Sequence, residues 1–359
     1  MGKAANLAVI GSIADTSLGF RNRILNGDMR IDQRNAGASV TPSTLYTTYT
    51  LDRWNTVYSV GSKFSVQQNA GSVTPPSGFK NYLGVTSLSA YTPGSAEQYT
   101  LVQNIEGYNV ADLGWGAAGA QTVTLSFWVR SSLTGTFGGV LGNSAANRTY
   151  PFTYTISAAN TWEQKTVTVA GDTTGTWLTT NGIGMQVIFS LGAGSTYLGT
   201  AGAWSGGTYT GATGQTNIVA TNGATFYITG VQFEAGSVAS PFERRDYGRE
   251  LMMCQRYFWR SNTSNATGAG GFYGGFHTSG TFSSVAKWPV TMRAAPTFTR
   301  GGTSDNFYVP GISATLTATV VTPSLTVDGA WTEFSSASPT AALGYTAAYN
   351  GQLSVSAEL

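Results

Sequence analysis

Apolar residues in this chain recur at every second position in short runs, and almost never at the spacing of a helix face. A period of two sends successive side chains to opposite sides of an extended backbone, so such runs bury one face only as strands of a sheet. The clearest run covers residues 122–130, where Val123, Leu125, Phe127 and Val129 share one side and Thr124, Ser126, Trp128 and Arg130 the other. The first set reads as core. Trp128 then faces outward, to be covered by a loop, a second sheet or another subunit. Residues 162–170 alternate in the same way, with Lys165, Val167 and Val169 against Thr166 and Thr168. In residues 224–234 the apolar phase switches from Phe226 and Ile228 to Val231 and Phe233, and Gly230 between them predicts a bulge.

Gly, Asn and Ser bound these runs throughout, and with 46 Gly and only 10% charged residues the chain meets solvent with hydroxyls and backbone. Aromatic residues at 12% supply enough apolar surface to offset the entropy of folding. A length of 359 residues suits two packed units. The fold class expected is all-β: tandem β-sandwich (jelly-roll) domains with a short helical connector. The only helix candidate is residues 241–253, with the charge cluster Glu243, Arg244, Arg245 and Asp246, and it marks the junction. The expected organisation is an attachment segment at 1–22, a jelly-roll domain at 23–240, a helical connector at 241–255 and a C-terminal β-sandwich at 256–359. Strands in the last part are expected near 256–259, 270–277, 283–289 and 315–322, punctuated by Pro296, Pro310 and Pro323. Residues 191–223 read as a long excursion over a sheet, and loops of that length are usually functional or mobile.

A formal charge of +2 with scattered Lys and Arg gives no field able to hold a phosphate backbone, so no nucleic-acid partner is expected. The single cysteine, Cys254, excludes an internal disulfide and a multi-cysteine zinc site, and reads as a small buried hydrophobe. The first ten residues carry one Lys before a weak apolar run interrupted by Gly11 and Ser12. This predicts neither an export signal nor membrane insertion, and it leaves the segment free to dock onto another protein. The lone His277 has no evident catalytic partner, and no phosphate loop or metal-ligand spacing is present, so no catalytic residue, metal or cofactor is expected. A glycan-cleaving site needs two carboxylates, and the spacing of the 17 acidic residues singles out no pair. What remains is a surface of aromatic rings and neutral hydrogen-bonding groups, which suits sugars: pyranose faces are apolar and their hydroxyls need directional partners. The carbohydrate-binding candidates are Trp177, Asn181, Tyr197, Trp204, Tyr209 and Gln215 around the long loop, with Tyr273 and His277 in the second unit. Packing of a loop or a subunit interface is the alternative role for each ring.

Taken in order, Asn26-Gly27-Asp28-Met29, Asp52-Arg53-Trp54, VTLSFWVR at 123–130, Thr161-Trp162-Glu163 and FYITGVQF at 226–233 resemble the strand landmarks of jelly-roll carbohydrate-binding modules. The last strand of such modules often supplies acidic ligands to a structural calcium; here Thr229 and Gly230 occupy those places, which argues against the ion. A second resemblance covers more of the chain. RNRILNGDMRIDQRN, LDRW, ITGVQFEAGSVASPFERRDYGRELMMCQRYFWRS and VTMRAAPTF are similar to segments of phage tail-fibre and related virion proteins. That resemblance implies a homotrimeric, non-enzymatic receptor-binding adhesin made in the bacterial host cytoplasm and carried in the virion. Its N-terminal segment would attach to the tail or another virion protein, and its distal part would meet a bacterial surface polysaccharide. A capsid or tail decoration protein and a glycan-degrading tailspike are the competing readings.

Overall fold

The computed structural model describes residues 20–43, 47–261, 273–278, 281–301, 306–309, 314–336, 346–349 and 352–359, several strands of the second half by their backbone alone. The chain forms two compact units, Met1–Arg245 and Asp246–Leu359. Most of the expected attachment segment, residues 1–19, lies outside the described residues.

Alternation builds two facing antiparallel sheets in the first unit. One runs, in spatial order, β1 (Thr47–Leu51), β2 (Trp54–Tyr58), β5 (Gln98–Glu106), β10 (Ile183–Ala193), β7 (Gly135–Gly142) and β8 (Thr149–Ile156). The other runs β3 (Phe64–Gln68), β4 (Leu83–Ser87), β13 (Thr225–Ala235), β6 (Val123–Ser131) and β9 (Glu163–Val169). Because the chain passes repeatedly from one sheet to the other, strands close in sequence end in different layers, which is jelly-roll topology. The core between the layers contains Val123, Leu125, Phe127 and Val129, as their alternation predicts. Phe127 meets Tyr154 and Phe189 edge to face, each at 5.0 Å between ring centres.

The phase switch in β13 is a bulge. Register slips between Thr229 and Gln232 opposite β6, and Gly230 sits at φ +61°, a conformation that costs glycine little. The bulge frees the Val231 N–H, which donates to Gly27 O at 2.9 Å and docks the segment before β1 onto β13. The recurring motifs meet here. Asn22 Oδ1 accepts Phe233 N, Trp54 Nε1 donates to Asn26 O, and Gln232 Oε1 accepts Glu243 N at 2.7 Å. Arg245 is buried and donates to the carbonyls of Asn22 and Ile24. On the outer face Trp128 is half-buried, and a Cβ added at Gly230 would lie 2.6 Å from the Phe79 ring and 3.1 Å from that of Trp128. The cover over Trp128 therefore includes a loop of its own chain.

In the second unit the helix, α1 (Tyr247–Gln255), starts six residues after the expected start at residue 241. Residues 241–245 are spent on the hydrogen bonds to Gln232, Asn22 and Ile24, which hold them out of helical geometry. Asp246 then caps α1 by accepting Arg249 N at 2.8 Å. Cys254 on the helix is fully buried. A small sheet follows, in the order β14 (Phe258–Arg260), β22 (Gln352–Ser356), β17 (Thr297–Gly301). The other six strands close into a ring: β15 (Tyr273–Thr278), β16 (Thr281–Lys287), β20 (Gly329–Ser336), β19 (Ala314–Leu325), β18 (Asn306–Val309) and β21 (Thr346–Tyr349), which pairs back onto β15. The all-β class stands, and in this unit the expected pair of sheets takes the form of a closed ring beside a small sheet. Among the described residues no helix is long and apolar enough to cross a membrane.

Candidate functional site

The excursion between β10 and β13 folds back over its own sheet. Its two short strands, β11 (Leu198–Gly199) and β12 (Gly211–Ala212), pair in parallel. The resulting strap is tied to β8 by reciprocal bonds between Thr149 and Ser205, and to β7 by Thr216 N donating to Thr136 O at 2.6 Å. Tyr209 packs on Val102, Val140 and Ile188, the apolar centre of the outer face of the six-stranded sheet. Glycine is required beneath its ring: a Cβ at Gly199 or Gly207 would stand 2.4 Å from it.

Strand register shows what this face carries. One row across the sheet reads Asn55, Val102, Ile188, Val140 and Pro151. Beside it runs a polar row in which Asn104 lies opposite Gln186 and Gln186 opposite Gly142. Gln186 Nε2 donates to Asn104 Oδ1 at 2.9 Å, and Arg53 Nη2 donates to the Asn104 carbonyl at 2.5 Å. Gln186 is half-buried, and its carboxamide oxygen accepts no hydrogen bond among the described residues. Asn55 is 1% exposed and its Oδ1 accepts no hydrogen bond among the described residues, a deficit worth about 1–3 kcal/mol. Tyr49, opposite Asn55, flanks this end beneath the Arg34 guanidinium, 4.9 Å from its ring centre. Val102, Val140 and Ile188 are themselves buried under Tyr209, so the apolar surface this face offers is the half-buried Tyr209 ring, which beside fixed carboxamides can take the flat side of a sugar ring and its hydroxyls together.

Of the residues singled out in the sequence, Tyr209 lies on this face. Gln215 supports it from the strap: Nε2 donates to Ser190 Oγ at 2.6 Å and Oε1 accepts Ala212 N, so its amide is spent on the protein. Trp177 and Trp204 join Trp115 in a cluster with ring centres 4.8–5.5 Å apart. Their indole N–H groups are taken by Asp172, Gln121 O and Ala170 O, so the cluster's own hydrogen bonds are met within the protein. Burial pushes the Asp172 carboxyl up, yet hydrogen bonds from Arg148, Trp177 and Thr174 N hold it below the usual carboxylate value. Tyr197 is half-buried at the start of the strap, and Asn181 is exposed in the turn before β10. Tyr273 and His277 fall on β15, and their side chains lie outside the described residues. Sequence reasoning missed Asn55, Asn104 and Gln186. The available signal was the polar phase Gln98, Thr100, Asn104 in β5 and Gln186, Ser190 in β10. Among the described residues no group of three potential metal-binding side chains occurs.

Fold and site together define a jelly-roll protein with a partly strapped, amide-lined outer face. No family model matches the sequence, and no curated protein matches it. Solved structures give remote likenesses. The enzymatically active domain of bacteriophage CBA120 tailspike protein 4 is 12% identical with a TM-score of 0.30, over 60% of this chain and 21% of that one. The chain thus spans about a fifth of the tailspike's length. The family 11 carbohydrate-binding module of Clostridium thermocellum, in complex with a mixed-linked tetrasaccharide, is 12% identical with a TM-score of 0.27, over 56% of this chain and all of the module. The Clostridium thermocellum xylanase 10B modules complexed with xylohexaose are also 12% identical at a TM-score of 0.27, over 58% and 30% of the two chains. All three TM-scores are low, and the fold rests on the chain's own strand order.

Proposed function

We propose that the first unit binds a bacterial surface polysaccharide on the outer face of its six-stranded sheet, and that the chain is a non-enzymatic receptor-binding tail-fibre protein of a phage particle. The observation that carries the glycan reading is the Asn104–Gln186 pair on the face where the half-buried Tyr209 ring covers Val102, Ile188 and Val140, with the unsatisfied Asn55 carbonyl at the end of the row. Carboxamides both donate and accept, as sugar hydroxyls require. A buried carbonyl without a partner gains from any hydroxyl or bridging water that reaches it. Retaining or inverting glycan cleavage needs two carboxylates, and Glu106 is the one carboxylate among the described residues in this phase of β2, β5 and β10. The virion setting rests on the tail-fibre-like motifs and the charge-poor, hydroxyl-rich surface. In this reading three copies assemble around the fibre axis, the N-terminal segment attaches to another virion protein, and repeated weak sites raise avidity by ~10² or more.

The test is binding of the purified chain to intact bacteria and to their isolated surface polysaccharide, with the length of the glycan followed over time. Saturable binding without shortening of the glycan is expected, together with a loss of about tenfold in affinity for Gln186→Ala, the worth of one good hydrogen bond. Shortening of the glycan would establish the tailspike reading. No binding to any surface polysaccharide would favour a decoration role.

A further inference from the structure

The second unit exposes an indole. Trp331 on β20 is 46% exposed, and Val285, its register partner on β16, is 64% exposed. On its other side Trp331 lies opposite Ser324 of β19. Large apolar side chains of a charge-poor protein are normally withdrawn from water, so two adjacent exposed ones on one sheet face call for an occupant. They border a cavity of about 270 Å³, completed by Lys287, Thr326, Asp328 and Gly329.

The cavity is built, not incidental. Its far wall is a tight turn in which Thr326 Oγ1 accepts the N–H groups of Asp328 and Gly329. The turn is fixed from outside by Trp288 Nε1 donating to Thr326 O at 3.0 Å and by Thr291 Oγ1 donating to Asp328 Oδ1 at 2.7 Å. A Cβ at Gly329 would lie 2.3 Å from Ala286 O, so only glycine fits opposite Lys287 at this edge of the cavity. Lys287 is exposed and makes no ion pair among the described residues. The site thus offers one aromatic face, one cation, one carboxylate with an oxygen to spare and one free hydroxyl on Ser324, all on a rigid support.

We infer that this cavity is a second carbohydrate site, which seats a single hexopyranose with its apolar face on Trp331 and Val285 and its hydroxyls toward Lys287, Asp328 and Ser324. Its volume lies just below the roughly 300–1,000 Å³ of sites for drug-sized ligands, which limits it to about one ring. A shallow site of this kind binds in the millimolar range. The inference shares the glycan reading of the first unit in its ligand class, but stands on different residues. A chain with a sugar site in each unit is bivalent before any assembly, which lets it hold a polymer at two points.

The test is fluorine NMR of the full chain labelled with 5-fluorotryptophan, the Trp331 resonance being assigned by its loss in Trp331→Phe. The chain is titrated with methyl glycosides of glucose, galactose, mannose and N-acetylglucosamine and with glucuronate, up to tens of millimolar. A saturable shift of the Trp331 resonance with at least one of these is expected, weakened severalfold in Lys287→Ala and unchanged in Gln186→Ala. A resonance that none of the sugars moves, or that moves on dilution of the protein alone because a second copy covers the indole, overturns the inference. Trp331→Ala is expected to leave the Gln186-dependent polysaccharide binding in place. Loss of the Gln186 effect with a persisting Trp331 shift would therefore sink the first-unit site and spare this one.

Discussion

Asp172 shows how a side chain can serve a fold that uses few charges. Its carboxylate takes the Arg148 guanidinium, including a bond from Nε at 2.8 Å, and also holds the Trp177 indole N–H at 3.2 Å. It thereby pins the tryptophan cluster to the loop before β10. Its ionised form is favoured in the folded state despite burial. A carboxyl whose folded value is depressed contributes stability that is complete above the ordinary value of about 3.9 and is lost as pH falls below it toward the folded value. We expect Asp172→Asn to cost about 1–3 kcal/mol at neutral pH, since Arg148 keeps some access to solvent. In thermal unfolding, the gap in Tm between wild type and Asp172→Asn should narrow as pH is lowered from neutral to about 3. A gap that stays constant would mean that Asp172 acts only through packing. The same residue takes up the Trp177 indole N–H, while that of Trp204 goes to the Ala170 carbonyl, so neither N–H is left over for a ligand. Exposure of an indole is not written in its neighbours along the chain, whereas the carboxylate that captures it is supplied by the fold.

At the level of elements, much of the fold could be read directly. Alternation gave β6 and β9 to within a residue or two, because β6 sets Val123, Leu125, Phe127 and Val129 on one face and β9 sets Val167 and Val169 opposite the parity of Thr166 and Thr168. The bulge in β13 was equally legible, since an apolar phase that switches across a glycine within one strand requires an extra residue at that point. Its consequence can be measured. Gly230 combines φ +61° with a Cβ position 2.6 Å from the Phe79 ring, so Gly230→Ala meets both backbone strain and a clash. A loss of roughly 2–4 kcal/mol is expected in denaturant unfolding of the first unit. A loss below about 1 kcal/mol would show that the Phe79 loop yields easily. The polar row was not legible for a different reason. In β5, Tyr99 and Leu101 face the core while Val102 lies among polar residues of the opposite phase, so neither side reads as a solvent face. Asn55, Asn104 and Gln186 become neighbours only through the order of β2, β5 and β10, which strand patterns alone do not specify. The conspicuous motifs around Asn22, Gln232 and Arg245 carried the resemblance, yet they build the latch between the N-terminal segment and the bulge and do not reach the site.

For the whole molecule, the ring of six strands in the second unit matters beyond its cavity. A formal charge of +2 over 359 residues leaves little mutual repulsion between copies that meet at high concentration. Under those conditions any unpaired backbone row is a template on which a neighbour can add a strand and start a fibril. Pairing of β21 with both β15 and β18 removes those rows from the ring. Deleting residues 346–349 would uncover both neighbours at once, and the expected result is aggregation on expression, seen as loss of the chain from the supernatant on centrifugation. A soluble deletion variant of unchanged oligomeric state would show that protection comes from elsewhere. Closure of the ring thus works as insurance against amyloid-like assembly in a chain whose net charge is too small to keep copies apart.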